Sequence, residues 1–204
     1  VKYVDKYRSL KNWKPISLRE PKPRMVRKVE AVEKAIKTPE INEAYIGGIV
    51  GEYVIKATDG HRALLVHGEP KEGARTFGFI EGLSDEVEIT DPEFYNALKR
   101  IKLATHTGRV VFEVKPDEKI IRLSANGLID DLYEIEGEEL VDITPGNKTT
   151  EAKFMLNAKY VLDVLGNWPV TIRYNGRDLS QAILFVFASF AYVVMPMEKT
   201  RWGK

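Results

Sequence analysis

The chain has 204 residues, 44% hydrophobic and 30% charged, an ordinary balance for a soluble globular protein. It has no cysteine and no apolar run near the ~20 residues of a membrane-spanning helix, which excludes disulfides, thiol chemistry and zinc–thiolate sites and points to a cytoplasmic protein with no membrane partner. The net charge of +1 hides an asymmetry: residues 1–28 hold ten Lys or Arg against two acidic residues, whereas the rest of the chain holds 21 basic against 28 acidic. A basic arm on an acidic body suits a polyanion such as nucleic acid; it also suits the acidic body of its own or a neighbouring chain.

Residues 1–22 form that arm, in which Tyr3, Tyr7, Leu10 and Trp13 are spaced to stripe a short helix. From about residue 23, three stretches share one layout of strand, short helix and further strands. In the first, Val29, Val32 and Ile36 predict a helix over 29–37, and Pro39 bars Thr38 from helical geometry. Strands are expected over 43–50 and 52–57 with Gly51 at the turn between them. Asp59-Gly60 then turns the chain into a third strand over 62–66.

The second stretch begins near Asp85. Val87-Glu88-Ile89-Thr90 alternates as a half-buried strand does. Asp91-Pro92-Glu93 predicts a helix start, with Asp91 as the N-cap and Pro92 in the first turn, where no donor is needed. Phe94, Ala97, Leu98 and Ile101 make its apolar stripe. Residues 109–114 and 119–124 read as a hairpin around Pro116-Asp117, and 132–135 as another strand. The third stretch begins near Glu151 with a strand over 152–156. Asn157 is the expected N-cap, Val161, Val164 and Leu165 the stripe, and Gly166 the terminator. Strands over 170–174, 182–187 and 190–195 follow. The expected fold is α+β, with short helices packed on one face of antiparallel sheets. Three repeated units divide it into a domain over 23–84 and another over 85–204.

Catalytic patterns are missing. No phosphate loop occurs, and His61, His67 and His106 have no third ligand at a metal spacing. Asp59 with Asp130 and Asp131 could be drawn as a magnesium cluster, but a turn and a solvated loop account for them better. No enzyme activity, metal or cofactor is expected.

The run Ala57-Thr58-Asp59-Gly60-His61-Arg62-Ala63-Leu64 resembles the Ala-Thr-Asp-Gly-His-Arg-Leu-Ala segment of bacterial β sliding clamps, the beta subunits of DNA polymerase III. The ending Ala191-Tyr192-Val193-Val194-Met195-Pro196-Met197 and the stretch from Phe154 to Leu165 are similar to the same family, in the same order. The resemblance implies a DNA-clamp-like fold of about three half-domain repeats, shorter than the family's full subunit. In bacterial clamps the two best-matched motifs line one pocket, which receives a short hydrophobic peptide of polymerases and other partners. Carried over, Thr58, Gly60, His61, Arg62 and Ala63 form one wall, Val193, Val194, Met195, Pro196 and Met197 the other, and Ile46 matches an apolar wall residue. Flexible, polarisable methionine suits such an adaptable groove. On its residues alone, 193–197 also reads as a final core strand. Ala63 is smaller than the family's usual leucine, and Glu198 replaces a usual basic residue.

In the family the helices face DNA. Lys28, Lys34 and Lys37 marking the first helix, Arg24 and Arg27 ahead of it, and Lys99, Arg100 and Lys102 on the second helix are the expected contacts to double-stranded DNA, indifferent to its sequence. The expected function is a sliding clamp or processivity factor that docks DNA polymerase or other proteins carrying a clamp-binding motif. If a ring needs twelve half-domains, four copies close it, so a homo-oligomer, specifically a tetramer, is expected. The alternative is a non-ring, clamp-derived adaptor that regulates replication or transcription through the same pocket and the basic arm.

Overall fold

The computed structural model describes residues 24–36, 45–46, 53–68, 82–105, 107–129 and 133–197. The basic arm, Lys37, Thr38, Pro39, Gly51, His106, Asp130, Asp131, Leu132 and Glu198 lie outside the described residues.

Helix α1 spans Arg24–Ala35, and so begins earlier than expected. Two of the four residues in its first turn, Met25 and Val26, are apolar, and Met25 precedes Val29 by four positions, so the helical spacing extends to the helix start. Val32 and Ile36 are buried and Val29 is half-buried. Three antiparallel strands follow: β1 (Tyr45–Ile46), β2 (Tyr53–Thr58) and β3 (Arg62–His67).

Strand β4 (Asp85–Ile89) leads into α2 (Phe94–Leu103). Asp91 does not cap this helix. Its carboxylate accepts from the Glu93 N–H at 2.8 Å and its carbonyl from the Phe94 N–H at 3.2 Å, so it closes a turn two residues ahead of the cap position, Glu93. The expected stripe is fully realised: Phe94, Ala97, Leu98 and Ile101 are all buried. The three large side chains stabilise the fold by roughly 5–9 kcal/mol before ordering entropy is counted. Strands β5 (Arg109–Lys115) and β6 (Ile120–Ile129) form the expected hairpin, with Lys119 at φ 56° in its turn rather than in the strand. β7 (Tyr133–Asp142) is far longer than its sequence signal, because it stays in register with β6 along its whole length. A short β8 (Thr144–Pro145) follows.

In the third unit, β9 (Ala152–Asn157) runs into α3 (Ala158–Val164), and the Asn157 side chain caps it by accepting from the Lys159 N–H at 3.0 Å. The helix ends at Leu165, which is extended (ψ 151°), so Gly166 is not a left-handed terminator. Gly166 leaves room for the Trp168 ring instead: a Cβ there would lie 2.4 Å from it, so the ring would have to shift. β10 (Val170–Tyr174), β11 (Ile183–Val186) and β12 (Phe190–Val194) complete the chain.

The strands form an eight-stranded sheet, ordered β1-β2-β3-β12-β11-β10-β4-β8, and a four-stranded sheet, ordered β7-β6-β5-β9. The second and third units share one order, strand, helix and three strands, and they exchange their leading strands: β4 pairs with β10, and β9 with β5. The first unit joins the third edge to edge, through β3 and β12. One large core lies between helices and sheets. Alternation along the strands puts Ala63, Leu65, Leu184, Ala191 and Val193 on the opposite face of the larger sheet, in a second cluster with Tyr53, Ile55, Leu83 and Ala182. With both faces covered, β12 is buried at every position, hence its continuous apolar sequence.

A buried carboxylate fastens the second unit to the third. Asp85, with no exposed surface, accepts from the Thr150 N–H (2.9 Å) and hydroxyl (2.8 Å), from Ser84 (3.1 Å) and from the Gly176 N–H (3.2 Å), and lies 3.3 Å from Lys148. Burial raises its pKa, but these donors outweigh that and hold it below the usual carboxylate value.

Candidate functional site

The β2–β3 turn is built by its own side chains. Asp59 Oδ1 accepts from the N–H groups of His61 (3.0 Å) and Arg62 (3.1 Å), and Thr58 Oγ1 donates to the Arg62 carbonyl (2.8 Å). Gly60 sits at φ 86°, a conformation that other residues adopt only with strain. Antiparallel pairing then sets Ala63 opposite Val193 and Arg62 opposite Val194. The Met195 N–H extends the ladder by donating to the His61 carbonyl (2.8 Å), and the Met197 N–H donates to the Met155 carbonyl on β9 (2.8 Å).

Ten of the eleven expected pocket residues thus meet at one junction, although the motifs are more than a hundred residues apart in the chain. They are not equivalent. Ala63, Val193 and Val194 are buried in the core, whereas Gly60, His61 and Met195 are exposed and Thr58, Pro196 and Met197 half-buried. The accessible surface is therefore a Gly60-His61 rim beside Met195-Pro196-Met197. Ile46 is not brought here. It pairs with Tyr53, at the other end of β2 from Thr58, roughly 16 Å away at a strand's rise per residue. His61 and His67 stand at opposite ends of β3 and do not converge; His67 stacks on Tyr53, with ring centroids 4.4 Å apart.

Arg62 turns away from the rim, into the helix side of the sheet, and is 7% exposed. Its guanidinium donates to Asp59 (2.9 Å), to Asp163 on α3 (2.6 Å), to the Tyr192 hydroxyl on β12 (3.3 Å) and to the Ala35 carbonyl at the end of α1 (3.4 Å), and it lies 4.3 Å from the Tyr160 ring centre. One side chain therefore clamps the turn, both helices at the junction and the neighbouring strand. Burial opposes its charge, but the hydrogen bonds with Asp59, Tyr192 and Asp163 more than offset this and raise its pKa above the usual arginine value. Burial also opposes ionisation of Asp59, and the Arg62 bond with the two backbone donors reverses the balance, so its pKa is lowered. The Tyr192 phenol is pushed up by burial. Asp163, Tyr160 and Tyr192 were not singled out from sequence; the i, i+3 spacing of Tyr160 and Asp163 on α3 was the available signal.

The expected DNA-facing cations divide as well. Arg24, Arg27, Lys28 and Lys34 share one face of α1, with Arg24, Arg27 and Lys34 exposed. Lys28 is half-buried and donates to the Leu162 carbonyl of α3 (3.2 Å); burial lowers its pKa, partly countered by Asp163. Lys99 is exposed and Lys102 half-buried on α2. Arg100 is already engaged by Glu139 (2.6 and 2.9 Å) and Glu93 (3.6 Å). Lys37 lies outside the described residues. Among the described residues, no group of three or more His, Cys, Asp or Glu is placed to hold a metal ion, and no helix is long and apolar enough to cross a membrane.

No family model and no curated protein matches the chain in sequence. Solved structures do match its fold. A DNA polymerase sliding clamp from Caulobacter crescentus aligns with a TM-score of 0.60 at 17% identity, over 85% of this chain and 63% of the clamp. A DNA polymerase sliding clamp from Pseudomonas aeruginosa gives 0.57 at 15% identity, over 85% and 65%. DNA polymerase III subunit beta from Borrelia burgdorferi gives 0.59 at 9% identity, over 86% and 62%. The chain spans less than two thirds of the length of these proteins.

Proposed function

We propose that this chain, a shortened protein of the sliding-clamp fold, is a DNA clamp that binds duplex DNA through its helix face and receives partner peptides at the β3–β12 junction. The observation that carries the reading is the junction itself. Two segments far apart in sequence form one ladder there, leaving His61, Met195, Pro196 and Met197 at its surface. Exposed methionine beside a polar turn suits a peptide anchored by Leu and Phe, and the partners are polymerase or other proteins with such a motif. The cations on α1 and α2 suit phosphates without reading sequence. The chain is not an enzyme in this reading.

A ring requires several copies. β7 closes the four-stranded sheet as an edge, holding the same place in the second unit as the junction strand β12 holds in the third. Such an edge offers unpaired backbone groups to another chain, and if a ring needs twelve such units, four copies of three supply them. The test is solution mass by light scattering, followed by retention on closed circular DNA before and after linearisation. A tetramer kept on circles and lost from linear DNA supports the clamp. A monomer that binds both forms equally, and only with residues 1–22 present, overturns it in favour of the adaptor.

A further inference from the structure

The helix layer holds a feature that duplex contact does not explain. A cleft of about 380 Å³ lies where the N-terminal half of α1 meets the start of α2 and the segment leaving α3. Arg24, Arg27 and Lys28 line it from α1, Tyr95 from α2, and Asn167 and Trp168 from the segment after α3. The exposed guanidinium groups of Arg24 and Arg27 have no ion-pair partner among the described residues, unlike Arg62 and Arg100. The half-buried Trp168 ring packs against the core and lies against the backbone of Gly166.

We propose that this cleft binds an unpaired nucleotide of a single-stranded polynucleotide, with phosphate at Arg24 and Arg27 and the base against Tyr95 and Trp168. A duplex keeps its base faces stacked inside, and a contact indifferent to sequence meets its phosphates, for which cations alone would serve. Aromatic rings beside cations in a cleft of this size match a single strand, which presents a phosphate and a free π-face together. Asn167 adds an amide that both donates and accepts, suited to a base edge. Single-stranded binding here would hold the unpaired strand beside the duplex face, at a junction between the two. The inference rests on the nucleic-acid part of the proposed function and is independent of the peptide site.

The test uses the full chain carrying Trp13→Phe and Trp202→Phe, which leaves Trp168 as the sole indole. Its emission is followed during titration with a ten-nucleotide oligo-dT, oligo-U, a ten-base-pair duplex and inorganic polyphosphate. The expected result is saturable quenching by single strands, and little quenching by duplex or polyphosphate. Arg27→Glu, an exposed change, weakens oligo-dT binding about 10-fold or more. Tyr95→Ala weakens it at least about 5-fold, the lower range for losing a stacked base, with circular dichroism confirming the fold. Equal response to oligo-dT and oligo-U assigns the site to any single strand; preference for one shows that the sugar or the thymine 5-methyl group is read, and oligo-dU separates the two. Equal quenching by duplex, or an unchanged affinity in Tyr95→Ala, overturns the proposal. If oligo-dT fails while duplex binding persists and depends on Lys34 and Lys99, only this inference falls. If neither binds, the DNA reading of the proposed function falls with it.

Discussion

Replacing Arg62 with alanine tests whether one buried side chain holds the β3–β12 junction. Removing one partner of a fully buried ion pair costs about 3–5 kcal/mol. Here the carboxylates are not fully buried: Asp163 is 29% exposed and Asp59 23%, so both rehydrate, and Asp59 keeps its two backbone donors. That places the ionic part at about 1–2 kcal/mol. The Tyr192 hydroxyl also loses the Arg62 guanidinium from its buried surroundings, and the stem leaves a void against the Tyr160 ring, adding about 1–2 kcal/mol. The total is a loss of about 3 kcal/mol, read as a lower urea midpoint with an unchanged slope at neutral pH. Arg62→Lys keeps the charge and stem but not the fork of donors, and loses about 1–2 kcal/mol. A double-mutant cycle with Asp163→Ala gives a coupling of about 1 kcal/mol or more. A loss below about 1 kcal/mol for Arg62→Ala would refute the clamp role, because it is the range of an ordinary exposed pair.

Asp85 makes stability depend on acid. Its folded pKa is below the unfolded value, so its stabilisation is complete above the ordinary carboxylate range and disappears as pH falls through the folded value. Asp85→Asn is expected to be less stable by about 2–4 kcal/mol at pH 7, with the gap narrowing below about pH 4 in urea titrations; a gap constant with pH would contradict this. Gly60→Ala meets no atom within 4 Å but must hold φ 86°, so it costs about 1–2 kcal/mol, and Gly60→Asn less. Met195→Glu puts a charge at the exposed rim while its backbone bond to His61 survives, so thermal unfolding shifts little. Binding of a Leu- and Phe-containing peptide, measured by fluorescence anisotropy, falls by about 10-fold or more; unchanged affinity would remove the junction as the peptide site.

Local chemistry was legible from residues close together in the chain. The Asp59-Gly60 turn, the Asn157 cap, the apolar stripe of α2 and the alternation of β4 all depend on neighbours within a few positions, so they appear in sequence and in structure alike. The length of β7 did not appear, because β7 owes it to pairing with β6, whereas the early start of α1 lay in the four-residue spacing of Met25 and Val29. The exchange of β4 and β9 between units, the joining of β3 to β12 and the distance of Ile46 from the junction were decided only in three dimensions, where strand edges choose partners by register and covered face. Arg62 shows the division most plainly. Sequence placed it in a motif beside Asp59, but its side-chain hydrogen-bond partners Asp163 and Tyr192 lie 101 and 130 residues away in the chain. Only burial in the folded junction turned a charged side chain from rim to core, because a guanidinium shut off from water must find all its partners in the protein.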